Sequence, residues 1–348
     1  MLLILSEPTD EHVTYVEKLL RRRGAEYVVF DPADLPARAE LSLEYEAAGA
    51  FRCLLRTAER TIDLDRVRAV WYRRPNPPVP PAEVTDKRIR EYVAAECHTF
   101  VHSAWDTLGG RWLPGRPSFI RRAEIKTLQL RLASELGFEL PPTLVTNSPA
   151  DFLDFYRRHN GQVVYKLLGP SFIKYAGDEF VRFTEVVSKR DVAYAQSVRS
   201  CPVIFQAYVP KRMELRVTVV GREVFPAEIH SQQTNRTRHD WRRYDFGKTL
   251  YQEHDLPSEV RARCLQLVER LGLCYGAIDL VVTPDGRYVF LEINPNGQYL
   301  WVEYATGMPI SEAICDLLLS DVPADGADDS VGTSFLGELS CPSISHPC

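Results

Sequence analysis

Apolar positions change their spacing several times along this chain, and each change marks an element. Residues 2–5 form an apolar run that predicts a buried strand. Residues 10–23 follow with Val13, Val16, Leu19 and Leu20 at helical spacing. Gly24 closes that helix before a second strand at 27–30. Strand, helix, glycine stop and strand is the βαβ pattern of a parallel sheet. Residues 51–64 read as a hairpin and 69–72 as another short strand. Pro75, Pro77, Pro78, Pro80 and Pro81 interrupt the pattern before a long helix over about 82–108. The Gly- and Pro-rich stretch 109–117 then places a first boundary, giving an N-terminal unit over 1–117.

A second unit, 118–201, shows an amphipathic helix over 124–136 stopped by Gly137 and a strand at 143–146. A helix over 149–158 and a buried strand over 163–168 complete its pattern. A third, 202–320, alternates into strands at 203–208, 215–220, 223–229, 277–282 and 288–293, with a helix over 257–271. Residues 321–348 turn acidic and rich in Gly, Ser and Pro, so a disordered tail is expected there. The pattern as a whole is α/β (α+β).

Composition narrows the partners. A hydrophobic content of 45% and a charged content of 26% are those of a chain able to bury a sizeable core. The net charge of −5 offers no general attraction to nucleic acid or anionic membrane, and basic character is local, around Arg236, Arg238, Arg242 and Arg243. The first ten residues lack the basic region of a signal peptide, and no apolar run approaches the ~18 residues that span a bilayer. The eight cysteines include no CxxC pair and read as reduced core residues. A cytoplasmic location is expected, with no nucleic-acid or membrane partner. His98 and His102 share a helix face at zinc-pair spacing, but no third ligand is evident and ordinary polar positions are expected.

Candidate chemistry concentrates in residues 275–298. Pro284-Asp285-Gly286 is a turn, so the runs on either side pair as an antiparallel hairpin. Alternation puts Glu292 and Asn294 on one face, and near-equal spacing from the turn puts Asp279 opposite them. Two carboxylates and an amide oxygen converging among apolar neighbours suit Mg²⁺ completed by substrate phosphates. The alternative is a hairpin with a polar solvent face. Lys166, at the end of the apolar run QVVYK, is costly to bury unless an anion receives it.

The D-x12-ExN hairpin resembles the metal site of ATP-grasp carboxylate–amine ligases. LEINPNGQYLW, with VWYRRP at 70–75 and HDWRRY at 239–244, resembles the ATP-grasp maturases of ribosomal peptides, the microviridin-type graspetide macrocyclases. The resemblance implies an ATP-grasp fold: a Rossmann-like pre-ATP-grasp domain, central and C-terminal ATP-grasp subdomains, and a homodimer. It implies Mg²⁺ on Asp279, Glu292 and Asn294, and ATP held by Lys126 and Lys166. Backbone groups near Gln206, Tyr208 and Val209 would read adenine, and Glu214 would take the ribose. Arg216 and Arg242 would act on the transferring phosphoryl group. Alternatives stay open: a solvated helix lysine for Lys126, a Glu214–Arg216 ion pair, and a solvated basic loop over 231–248. The segment after Lys166 has only Gly169 and Gly177, too few for the usual phosphate-covering loop.

The implied activity makes acyl phosphates on Asp/Glu side chains of a ribosomal precursor peptide and closes ω-ester or ω-amide rings. Residues 177–187 alternate like a hairpin, which in that family grips the leader peptide; a plain strand is the other reading. A small-molecule ligase of the glutathione-synthetase or glutamate-ligase type and a catalytically silent nucleotide-binding module are the rivals.

Overall fold

The computed structural model describes residues 1–47, 49–169, 172–175, 178–181, 184–233 and 250–320. The N-terminal region opens with β1 (Leu2–Ser6), α1 (Glu11–Arg22) and β2 (Tyr27–Phe30). Asp10 caps α1 by accepting from the amides of His12 (2.8 Å) and Val13 (3.2 Å). Gly24, at φ +66°, ends it. A small antiparallel sheet follows, β3 (Glu40–Tyr45), β4 (Phe51–Arg56) and β5 (Thr61–Asp63). The chain then returns through β6 (Ala69–Arg74), the long α2 (Lys87–Thr107) and β7 (Arg111–Leu113). Strands β2, β1, β6 and β7 lie side by side in that order, all parallel.

Helices α3 (Pro117–Ala123) and α4 (Lys126–Glu135) lead to β8 (Thr143–Thr146), α5 (Pro149–Arg158) and β9 (Val163–Lys166). Beyond them come β10 (Phe172–Tyr175), β11 (Asp178–Val181), β12 (Glu185–Val186), α6 (Lys189–Ala193) and β13 (Val203–Ala207). The last region holds β14 (Met213–Val220), β15 (Glu223–Ile229), β16 (Tyr251–Glu253), α7 (Ser258–Arg270), β17 (Tyr275–Val282) and β18 (Tyr288–Asn294). It closes with α8 (Leu300–Thr306) and α9 (Ile310–Leu319).

Sheet pairing redraws the expected units in three places. Strand β13 pairs with β8 and β9, so it belongs with the strands of 118–201 rather than with those of 202–320. Phe152, Phe155, Val163, Val187 and Phe205 form one core there, which only strand pairing across the chain could assign. Helices α3 and α4 part from that segment in the other direction. Ile120, Ala123, Leu132 and Ala133 share a core with Leu215, Val217, Leu280 and Cys264, under the five-stranded sheet β16-β15-β14-β17-β18. The hairpin expected at 177–187 is also shifted. Asp178–Val181 pairs backwards with Phe172–Tyr175, while Glu185–Val186 joins β9 in another sheet. The expected tail, 321–348, lies outside the described residues.

The five-stranded sheet has two chemically different faces. Leu215, Val217, Ile278, Leu280, Phe290 and Ile293 face the helices, whereas Glu214, Arg216, Asp279, Glu292 and Asn294 share the other side. The far end of that second side is covered by the N-terminal region. Ile4, Val16, Leu20 and Trp71 form a single core with Phe225, Ala227, Tyr275, Tyr299 and Ile314. Arg23, the residue that follows α1, reinforces the junction by pairing with Glu312 and Asp316 of α9.

Candidate active site

Strand register brings the charged side chains together. Asp279 of β17 lies directly opposite Glu292 of β18 and, on its other side, opposite Arg216 of β14. A bulge after Asp279 makes Leu280 pair with Phe290, which leaves Leu291 out of the ladder and turned into the cavity described next. Bulges of this kind re-aim side chains beside sites. The buried Arg216 guanidinium binds both oxygens of Asp279, at 2.8 and 3.0 Å. Burial opposes its charge, but Asp279, Tyr275 and Glu292 outweigh burial and raise its pKa. Glu292 accepts from Lys126 Nζ at 2.9 Å across from α4. The carboxylates are thus held apart, each beside its own cation. The Glu214–Arg216 ion pair was the alternative considered above, and each residue has a close partner of opposite charge elsewhere. Glu214 instead pairs with Lys211 at 2.6 Å, both almost fully buried.

A cavity of about 660 Å³ lies between the two sheets. Lys166 and Gln206 reach it from the β9–β13 side, Tyr208 and Val209 from the connection, and Glu214, Asp279 and Glu292 from the five-stranded sheet. Lys126 and Arg216 border it through their carboxylate partners. Asn294 shares the carboxylate face but is exposed and not part of the cavity wall, its Oδ1 accepting from the Asn296 amide (3.0 Å). Arg242 lies outside the described residues. Lys211, Thr184 and the apolar walls Val164, Val281 and Leu291 were not singled out from the sequence. The PKRMEL string, with Lys211 three residues before Glu214, was the available signal.

This donor set fits a nucleotide with a hard divalent cation. Apolar walls and edge-of-strand amides suit a base, and a carboxylate beside a lysine suits a ribose. Facing carboxylates edged by cations suit a metal bridging phosphates, because Mg²⁺ takes one or two carboxylates and completes its shell with phosphate and water. His98 and His102 show no such fit. Their rings lie 4.2 Å apart, and burial, His98 and Arg121 push the His102 pKa down to about 4, with Arg121 donating to its Nδ1.

The loop after Asn294 is fastened to the N-terminal sheet. Arg73 donates to the Asn296 carbonyl at 2.9 Å, and the Asn296 amide nitrogen reaches the carbonyls of Tyr72 and Arg73. His12 Nε2 accepts from the amides of Tyr299 (3.2 Å) and Leu300 (3.4 Å), which leaves the proton on Nδ1, facing Asp10 at 3.3 Å. Tyr275 donates to the Gly297 carbonyl at 2.6 Å, and its burial raises its pKa to about 12. A Cβ on Gly297 would stand 2.3 Å from that of Ala277 and 2.7 Å from Arg216 Nη2. Gly297→Ala is therefore expected to cost about 1–3 kcal/mol through overpacking and to lower activity by displacing Arg216. Urea unfolding and ADP release measure the two effects.

His12 also predicts an acid sensitivity. Burial, partly opposed by the Asp10 hydrogen bond, holds its pKa below the ordinary 6.5. The unfolded chain takes up that proton first, so the stabilisation is complete above pH 6.5 and is lost as pH falls from there towards the depressed value. His12→Gln, which keeps an acceptor but cannot protonate, is expected to flatten this decline in melting temperature. An unchanged slope between the two proteins would refute it.

The two sheets that face each other across this cavity define an ATP-grasp architecture, and comparison with known proteins carries this further. Residues 1–117 match the family model described as the MvdD pre-ATP grasp domain. The macrocyclase MdnC from Microcystis aeruginosa MRC, crystallised with precursor peptide MdnA, is 32% identical. That likeness covers 91% of this chain and 98% of MdnC at a TM-score of 0.80. A Chryseobacterium gregarium RiPP-associated ATP-grasp ligase, solved with ADP and a leader and core peptide, is 31% identical. It covers 92% of this chain and 97% of that one, with a TM-score of 0.85. The chain belongs to this family of RiPP ATP-grasp ligases and macrocyclases. Among curated proteins, human N-acetylaspartylglutamate synthase A is 26% identical over 124 residues, 35% of this chain and 31% of that protein. The chain thus spans about a third of the curated relatives it matches.

Proposed function

We propose that this chain is an ATP- and Mg²⁺-dependent ligase that joins side chains within a ribosomal precursor peptide. The observation that carries the reading is the row Arg216–Asp279–Glu292–Lys126 on one wall of the intersheet cavity. Relatives solved with precursor, leader and core peptides support the peptide as substrate. An oxygen of an Asp or Glu side chain attacks the γ-phosphorus of ATP, the bond to the β-phosphate oxygen breaks, and ADP leaves. A Ser/Thr hydroxyl or Lys amine then attacks the acyl carbon, phosphate departs, and the nucleophile loses a proton, closing an ω-ester or ω-amide.

Lys166 and Arg216 supply fixed positive charge where phosphate charge develops, and Glu214 and the strand-edge groups at Gln206, Tyr208 and Val209 orient the nucleoside. Arg242 is assigned to the same phosphates. Magnesium, held by Asp279, Glu292 and Asn294, would neutralise phosphate oxygens. Among the described residues no helix is long and apolar enough to cross a membrane. The described cysteines are free thiols, which with ATP dependence supports a cytoplasmic site of action.

Co-incubation with ATP, Mg²⁺ and the precursor peptide encoded beside its gene is expected to remove one water per crosslink, read by mass spectrometry. ADP release stimulated by free amino acids and not by peptide would favour the small-molecule ligase reading. A homodimer is also proposed. The first turns of α2 bury no side chain and expose Ile89, Tyr92 and Phe100 as a stripe, which a second copy would cover. A monomeric mass by analytical ultracentrifugation at micromolar concentration would exclude it.

A further inference from the structure

The paired arginines at the end of β6 have opposite fates. A bulge at the carboxyl end of the strand makes Ser6 pair with Arg74 and leaves Arg73 out of the ladder. Arg73 is buried, donates to the Asn296 carbonyl and pairs with Asp10 at 3.4 Å. Arg74 reaches an open crevice of about 680 Å³ and hydrogen-bonds to no side chain or carbonyl among the described residues. Glu7, Glu11, Trp301, Tyr304 and Gln298 line the same crevice. The carboxylates of Glu7 and Glu11 and the amide of Gln298 likewise make no side-chain hydrogen bond to any described residue. Arg74, Glu11 and Gln298 are exposed, so water takes their hydrogen bonds in the free chain and a ligand entering the crevice replaces it.

Topology explains why a site lies here. The chain runs from β1 to β2 on one side and to β6 on the other, so the strand order reverses between β1 and β6. Ligands of open parallel sheets bind outside the carboxyl ends of the strands at such a reversal, which is where Glu7 and Arg74 stand. The crevice also backs onto the nucleotide cavity. The Gln298 carbonyl accepts from Arg216 Nη2 (3.4 Å), and Arg216 holds Asp279 on the cavity wall.

We propose that this crevice is the subsite for the reacting segment of the peptide, with Arg74 binding an acidic side chain of the substrate. The inference rests on the ligase reading above. A planar guanidinium matches a carboxylate through two parallel hydrogen bonds, a geometry a lysine cannot reproduce. Burial and the neighbouring Arg73 already depress the Arg74 pKa, and a bound carboxylate relieves both penalties. Glu7 and Glu11 repel any lone anion, so an acid bound at Arg74 must bring a hydrogen-bond donor with it. They accept instead from the hydroxyl or ammonium that the reaction joins to the acid. The ligand is therefore a peptide carrying an acid and a hydrogen-bond donor close together.

The test compares wild type, Arg74→Gln, Arg74→Lys and Glu7→Gln on the precursor peptide encoded beside the gene, with KM determined separately for peptide and ATP. Arg74→Gln is expected to raise the peptide KM about tenfold or more, the scale of a lost charged hydrogen bond. The ATP KM should stay constant, and Arg74→Lys should fall between the two. A peptide KM equal to wild type, or both KM values rising together, would overturn the subsite while leaving the ligase reading intact. A wild-type enzyme that crosslinks no peptide would overturn both.

Discussion

Glu292→Gln is expected to lower ligase turnover by about 10²–10³-fold, the scale of losing one preorganised charge contact at a reacting centre. The amide keeps the shape of the side chain but not its charge, and Glu292 is the carboxylate on β18 that faces Asp279. Its Lys126 partner is a quarter exposed, so the stability cost of breaking that pair is about 1 kcal/mol or less. Activity and stability should therefore separate. Initial rates of ADP release across a magnesium titration, beside a urea melt, measure both. Turnover near the wild-type rate at any magnesium concentration would remove Glu292 from the metal set.

Asp279→Ala, by contrast, is expected to damage fold and activity together. Its two oxygens hold a guanidinium that has almost no access to water. Deleting one partner of such a pair strands the other, at about 3–5 kcal/mol. Asp279→Ala combined with Arg216→Met should recover much of that loss, because the buried charge goes with its partner. It should recover no ligase activity. If the double variant is no more stable than Asp279→Ala alone, the destabilisation comes from elsewhere than the stranded cation.

Local pattern made most elements readable. Strands at 27–30, 143–146 and 223–229 have the bounds that period-two alternation implies. The opposition of Asp279 and Glu292 follows from counting outward from one Gly turn, since register in a tight hairpin is set by its turn. Features depending on distant partners were hidden. Strand β13 joined β8 and β9, and no periodicity in 203–207 says which sheet it enters. The Lys211–Glu214 pair was not anticipated, because Lys211 and Arg216 are both close to Glu214 in sequence. Only the three-dimensional register gives Arg216 to Asp279. The bond from Arg73 to Asn296 spans 223 residues, beyond any local signal. The short α8 and the helix α9 were also missed, their apolar residues being matched to Leu20 and Trp71 rather than to a solvent-facing pattern.

The core shared by Ile4, Val16, Trp71, Tyr275, Tyr299 and Ile314 restricts how enzymes of this build can be recombined. Grafting the first 117 residues from a relative would cut through that core and through the Arg73 and His12 contacts to the 296–300 loop. A chimera meant to acquire a new substrate preference should therefore carry 296–319 along with the N-terminal graft. Those segments pack as one piece.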